Sequence, residues 1–272
     1  MKTLYVTDLD GTLLNSSDFI NPYSIEVINS LVEKGMLFTY ATARSLVSAS
    51  VVAAGLSARI PIIAYNGVFI LNPATGEIIA SEGFQREETE EVIRVLKGSD
   101  ICHLVYSYID KEEKVSWVTG RENSWLQKYK NRRQADRRFR PLPDDTHLYD
   151  GNVFYFTCAG EREELLPVYE IFSKDERYTC TLQQELYRPE YLCEIMPRKA
   201  TKANAVLKLK EMWGCDRVVS FGDAVNDLPM FRISDECYAV ENAVEELKAE
   251  ATGVIGGNDA DGVARWLKEH YR

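Results

Sequence analysis

The feature that most constrains this chain lies within its first dozen residues, where Leu4-Tyr5-Val6-Thr7, a short apolar and β-branched run, delivers Asp8-Leu9-Asp10-Gly11-Thr12. Such a run reads as a buried strand, and the Asp-Gly break reads as its carboxyl end opening into a turn. In an open α/β sheet that edge is where ligands bind. Two carboxylates placed two residues apart there can divide the work. Asp8, fixed by the strand, can attack an electrophile, while Asp10, on the turn, can give and take a proton. Gly11 lets the chain fold back over them. A calcium loop would want glycine at its sixth position and glutamate at its twelfth, where this chain has Leu13 and Phe19, so that reading falls. An ordinary polar turn stays open on this stretch alone.

The following units repeat the arrangement. Asn21-Pro22 starts a helix with Pro22 at its first position, Ile25, Ile28, Leu31 and Val32 share a face, and Gly35 stops it. Residues 36–41 form a continuous apolar run, as expected of a parallel strand covered on both faces, and end in Thr42-Ala43-Arg44-Ser45. Thr42 is therefore expected at the same sheet edge as Asp8. Its hydroxyl and the amides opening the next helix, over 45–54, could hold an anion, or Thr42 and Ser45 could serve only as helix caps. A third strand over 61–65 ends in Asn66-Gly67 and runs on through 68–71 to a hairpin at 72–76.

From about Gly83 the texture changes to a second, α+β module: a charged helix over 86–97, an antiparallel pair over 101–109 and 115–119, a strand over 152–158, a helix over 161–173 and a strand over 177–182. Between Arg121 and Arg140 eight residues are basic and two acidic, either a solvated face or a rim that attracts anions. Leu192-Cys193-Glu194-Ile195-Met196-Pro197 reads as a strand returning to the first texture, which divides the chain at 1–82, 83–190 and 191–272. An amphipathic helix over 201–213, closed by Gly214, and a strand over 216–221 then deliver Gly222-Asp223-Ala224-Val225-Asn226-Asp227. Two carboxylate-bearing strand ends can thus face one another across a sheet, which suits a hard cation. Magnesium takes a few oxygen ligands plus water and substrate phosphate, and cancels the repulsion between a carboxylate nucleophile and a phosphate. Lys202 would stabilise both.

Composition narrows the partners. A net charge of −10 argues against general binding to nucleic acid or anionic membrane, and no run reaches the roughly 18 apolar residues of a membrane span. Met1-Lys2-Thr3-Leu4 leads straight into the first strand without a charged leader, so the protein is expected in the cytoplasm. Six cysteines stand singly with no Cys-x-x-Cys pair, as reduced core residues do, and His103, His147 and His270 are equally isolated.

Taken together, Asp8-Leu9-Asp10-Gly11-Thr12-Leu13, Thr42-Ala43-Arg44, Lys202 and Gly222-Asp223-Ala224-Val225-Asn226-Asp227 resemble the four ordered motifs of the haloacid dehalogenase (HAD) superfamily, and more closely its Cof-like, type IIB branch. Asn66-Gly67 resembles that branch's substrate loop, Glu194-Ile195-Met196-Pro197 its return to the core, and Asn242-Ala243 with Asp261-Gly262-Val263 its C-terminal pattern. The resemblance implies an α/β, Rossmann-like parallel-sheet core with an inserted α+β cap domain that closes over it. It also implies a magnesium-dependent phosphatase acting on a small phosphate ester such as a sugar phosphate, as a monomer or weak homodimer. Asp8 would attack phosphorus to form an aspartyl phosphate, and Asp10 would protonate the leaving oxygen and then activate water. Mg2+ would be held by Asp8, Asp223 and the Asp10 backbone carbonyl with Asp227 in support. Thr42 and Lys202 would grip the phosphoryl group, Asn226 would orient Lys202 or the phosphate, and Ala43, Arg44, Asn66 and Gly67 would complete the substrate-binding set. The chain departs from the branch's pattern at Ala43, Lys199, Ala203 and Glu241, where glycine is common, and Lys199 is a second candidate for the motif's lysine. A phosphomutase using the same aspartyl phosphate, and a catalytically silent anion-binding or regulatory protein, remain alternatives at this stage.

Overall fold

The computed structural model describes residues 1–184 and 189–272, which divide into two units: 1–81 with 200–272, and 82–199. In the first, β1 (Thr3–Asp8), α1 (Pro22–Glu33), β2 (Leu37–Ala41), α2 (Leu46–Val52), β3 (Ile62–Ala64), β4 (Phe69–Leu71) and β5 (Ile78–Ser81) come from the first segment. The second unit inserts α3 (Arg86–Lys97), β6 (His103–Ile109), β7 (Glu112–Val118), α4 (Ser124–Arg132), β8 (Phe139–Leu142), β9 (Asn152–Gly160), α5 (Arg162–Phe172), β10 (Tyr178–Gln184) and β11 (Tyr191–Pro197). The first then resumes with α6 (Lys202–Trp213), β12 (Arg217–Gly222), α7 (Leu228–Arg232), β13 (Glu236–Val240), α8 (Glu245–Glu250), β14 (Gly253–Ile255) and α9 (Gly262–His270).

The first unit's sheet has the order β14-β13-β12-β1-β2-β3-β4-β5, parallel through β3. β1 is central. Leu4 and Val6 are fully buried, as the unbroken apolar run demands of a strand covered on both faces. They pack with Ala41, Ile63, Val218 and, from α6, Ala205, Val206 and Leu209. Parallel register then fixes the functional edge. Asp8 pairs with Ala41, so Thr42 lies one residue beyond, and Thr7 pairs with Phe221, so Asp223 emerges two residues beyond. The run from 61 to 71 is two strands rather than one that runs on, since the chain reverses at 65–67 and β4 pairs antiparallel with β3. Tyr65, Asn66 and Gly67 make that reversal with positive φ of 49°, 53° and 106°.

The second unit is a six-stranded sheet, β10-β11-β9-β6-β7-β8, with one face packed on α3 and α5 through Val92, Leu96, Leu165, Val168 and Phe172. β11 corrects the expected boundary at 190: residues 191–197 pair antiparallel with β10, residues 191–195 also with β9, and all belong to the inserted unit. An apolar strand pattern reports burial, not which sheet supplies its partners. Among the described residues, four of the eight basic side chains at 121–140 meet acidic partners. Lys128 pairs with Glu190, Lys130 with Glu122, Arg138 with Glu113 and Asp136, and Arg140 with Asp150. The six cysteines carry free thiols; Cys102 and Cys180 are half-buried and the other four buried.

Candidate active site

Asp8 ends β1, and the chain turns immediately through Asp10 and Gly11, whose φ of +74° only glycine adopts at no steric cost. The space there is equally demanding, because a Cβ on Gly11 would lie 2.3 Å from Asp223 Oδ2. Across the edge, Thr12 Oγ1 donates to Asp223 Oδ1 at 3.0 Å, and Asn242 Nδ2 donates to the Gly11 carbonyl at 2.7 Å. Asp227 turns back on its own loop. Its Oδ2 accepts the backbone N–H groups of Asp223 at 3.1 Å and Ala224 at 3.3 Å, under a Gly222 that leaves no room for a side chain.

Lys202, the first residue of α6, reaches into this acidic ring. Its Nζ donates to Asp8 Oδ1 and, at 2.8 Å, to Asp227 Oδ1, with Lys202 3 %, Asp8 5 % and Asp227 0 % exposed. Lys199 belongs to the second unit and is exposed. The placement of Lys202 has a visible cause: Gly67 packs so closely on the start of α6 that a Cβ would lie 2.2 Å from the Thr201 carbonyl oxygen. The same reversal braces the neighbouring loop, since the Tyr65 N–H donates to the Arg44 carbonyl at 3.0 Å and the Asn66 N–H to the Thr42 carbonyl at 2.9 Å.

Burial sets the electrostatics. Asp8 is pushed up to about 7 by desolvation, against the pull of Lys202 and with the push of Asp227 and Asp223. Asp223 is pushed up to about 6, again by burial first and by Asp227 next. Burial works against the Lys202 charge, but Asp8 and Asp227 more than offset it and hold the ammonium protonated. Lys202 touches two of the three carboxylates gathered here, and with all three ionised the cluster carries two negative charges in excess. The donor set fits a divalent cation. Asp8, Asp223 and Asp227 each place a carboxylate oxygen within 4.8 Å of the others, all are hard oxygen ligands, and Asp8 Oδ2 and Asp223 Oδ2 accept no hydrogen bond among the described residues.

A cleft of ≈ 380 Å³ opens on this edge, lined by Asp8, Asp10, Gly11, Ala43, Asp223, Ala224 and Asn226. Thr42 is buried behind it. Its hydroxyl accepts the Arg44 N–H at 3.1 Å and faces Asp10 Oδ2 at 3.5 Å, while Ser45 is the residue that caps α2. Asn66 and Gly67 do not line the cleft. A larger cavity of ≈ 810 Å³ lies within the second unit, and none of the edge carboxylates lines it. Sequence reasoning missed Thr12 and Gly222 as supports of Asp223 and Asp227; the only trace was their place inside the two acidic motifs. It also missed the partner of Arg44, which grips Asp10.

Comparison with known proteins gives a consistent picture. The family model described as haloacid dehalogenase-like hydrolase matches residues 5–267. The 5-amino-6-(5-phospho-D-ribitylamino)uracil phosphatase YwtE of Bacillus subtilis is 29% identical, over 99% of this chain and 98% of the relative. The pyridoxal phosphate phosphatase YbhA of Escherichia coli is 25% identical, over 97% and 96%. Among solved structures, TM0651 from Thermotoga maritima superposes with a TM-score of 0.80 at 28% identity, over 100% of this chain and 98% of that one. A protein from Eubacterium rectale shares the fold with a TM-score of 0.82 at 22% identity, over 98% of both.

Proposed function

The chain belongs to the haloacid dehalogenase-like hydrolases, and from that premise we propose that it is a magnesium-dependent phosphomonoesterase acting through Asp8 on small phosphorylated metabolites, with sugar phosphates as the expected class. The observation that carries this reading is the buried contact of Lys202 with Asp8 at a sheet edge that also holds Asp10 and Asp223. The enzyme hydrolyses phosphate esters, as its relatives named phosphatases do. Residues 82–199 stand in the place of the family's cap and are assigned the choice of substrate. The proposal takes the enzyme to work in the cytoplasm as a monomer or weak homodimer; among the described residues no helix is long and apolar enough to cross a membrane.

In the first step an Asp8 oxygen attacks phosphorus in line with the ester oxygen; the new O–P bond forms as the ester P–O bond breaks, and Asp10 gives its proton to the departing alkoxide. In the second, Asp10 takes a proton from water, which attacks the same phosphorus and releases Asp8 and inorganic phosphate. Lys202 offsets the negative charge that gathers on Asp8 and on the phosphoryl oxygens, in a site dry enough for that charge to count. The Thr42 hydroxyl and Asn226 complete the grip on the phosphoryl group. Mg2+ would be held by Asp8, Asp223 and the Asp10 carbonyl, with Asp227 fixing the loop behind them, and it supplies charge neutralisation at the phosphate.

Phosphate release tests this, from sugar phosphates, 5-amino-6-(5-phospho-D-ribitylamino)uracil, pyridoxal phosphate and nitrophenyl phosphate, with Mg2+ or chelator, for wild type and Asp8→Asn. Release that needs Mg2+ and falls to background in the variant is the expected result. Release unaltered in Asp8→Asn sinks the mechanism, and an isomerised ester without free phosphate turns the enzyme into a mutase.

A further inference from the structure

Arg44 was expected among the phosphate-binding residues, yet its guanidinium is occupied by the protein. Nε donates to Asp10 Oδ1 at 2.9 Å and to Oδ2 at 3.0 Å, and Nη2 donates to Oδ1 as well. Nη2 also reaches Asp18 Oδ1 at 3.2 Å, and Nη1 lies 3.4 Å from Ser48 Oγ. The backbone of Arg44 is fixed on both sides, its N–H on the Thr42 hydroxyl and its carbonyl under the Tyr65 N–H. Asp10 needs such a partner. It sits on an irregular turn, and its side chain is 47% exposed where that of Asp8 is 7%.

We propose that Arg44 is a positioning residue that acts through Asp10 and takes no phosphoryl oxygen. The inference rests on the reading that Asp10 carries the proton. Proton transfer requires the carboxyl within hydrogen-bond reach of the leaving oxygen, and a rotamer fixed beforehand removes the entropy of finding that position. A planar fork fixes both the plane and the direction of a carboxylate, which a lysine's point charge does not. The contacts are also unequal. Oδ1 accepts two N–H groups, whereas Oδ2 accepts one, with the Thr42 hydroxyl no closer than 3.5 Å, so Oδ2 is the oxygen left to carry the proton.

The leaving group separates the two roles. A nitrophenolate departs without a proton, and a sugar alkoxide does not. Arg44→Ala is expected to lose about 100-fold in kcat/KM on a sugar phosphate and less than about tenfold on nitrophenyl phosphate, the lower end of what a placed general acid supplies. Inhibition by inorganic phosphate stays within about twofold, because uniform phosphate binding is untouched. Arg44→Lys, which keeps the charge without the fork, recovers less than about a tenth of the loss. Equal losses on both esters with weakened phosphate inhibition, or full recovery in Arg44→Lys, overturn the proposal. The clamp is also read without turnover, from the Arg44 Nε–H resonance, assigned by its absence in Arg44→Lys. It is expected to move in Asp10→Asn and to stay in place when inorganic phosphate and Mg2+ are added to wild type; the reverse pattern refutes the clamp. A wild type that turns over no ester but shows the expected resonances would refute the phosphatase reading and leave the clamp standing.

Discussion

Asp223 carries a cost that a bound cation would remove. A carboxyl whose folded-state pKa is raised binds its proton more tightly folded than unfolded, so its contribution to stability is present at low pH and lost as pH rises through the folded value. For Asp223, pushed up to about 6, that loss falls between about pH 4 and pH 6. In chelator, Asp223→Asn is therefore expected to gain in Tm relative to wild type across this window and to hold the gain above it. Millimolar Mg2+ at pH 8 should reverse the order, because a charged carboxylate binds the cation more tightly than a neutral amide oxygen. Thermal melts of both proteins at four pH values check the sign, and a difference flat with pH sinks the argument. At this scale the sequence was legible where a motif sits on one stretch: Asp8 with Asp10, and Asp223 with Asp227. It was illegible where two side chains meet only through sheet register, as Arg44 meets Asp10 and Thr12 meets Asp223.

The element that sets the site is α6. Thr201 precedes it, and its hydroxyl accepts the Asn204 N–H at 3.1 Å, so the first turn that carries Lys202 is anchored by a side chain as well as by Gly67. Thr201→Ala is expected to cost about 1 kcal/mol, as loss of a hydroxyl N-cap does, and to lower kcat because the first turn holds Lys202 against Asp8. Urea denaturation and steady-state kinetics on the same preparation test it; unchanged stability would show that Gly67 and tertiary packing alone hold the helix start. α6 itself was readable from its apolar face and from Gly214, which ends it in the left-handed conformation at φ +61°. β11 was readable as a strand and not as a member of the second sheet. Its hydrogen-bond partners are β9 and β10, and local pattern holds no record of them.

At the scale of the molecule, each unit has an apolar cluster of its own. Substitutions should then be felt one unit at a time. Phe156→Ala, at 0 % exposure in the second unit, is expected to cost roughly 3–5 kcal/mol, and Leu4→Ala in the first roughly 2–5 kcal/mol. Calorimetry should show each change moving a different part of the unfolding profile. A single transition shifted equally by both would show that the units unfold as one. The basic stretch makes the same point in charge: its surplus is a property of the sequence, but Glu113, Asp150 and Glu190 from outside the stretch meet part of it in space.

The sequence by itself determined the family and the class of fold, and it carries the motifs on which the proposed chemistry rests. Carboxylates of the kind that can attack, exchange protons and bind hard cations are local features of the sequence, and so are the apolar runs that must be buried on both faces of a parallel sheet. The tertiary structure alone decided that Asp227 spends its oxygens on Lys202 and its own loop, that Arg44 holds Asp10, and that β11 lies in the inserted sheet between β10 and β9. Each depends on which distant strands lie side by side, and that is settled by hydrogen-bond register and packing across the whole chain, not within any window of it.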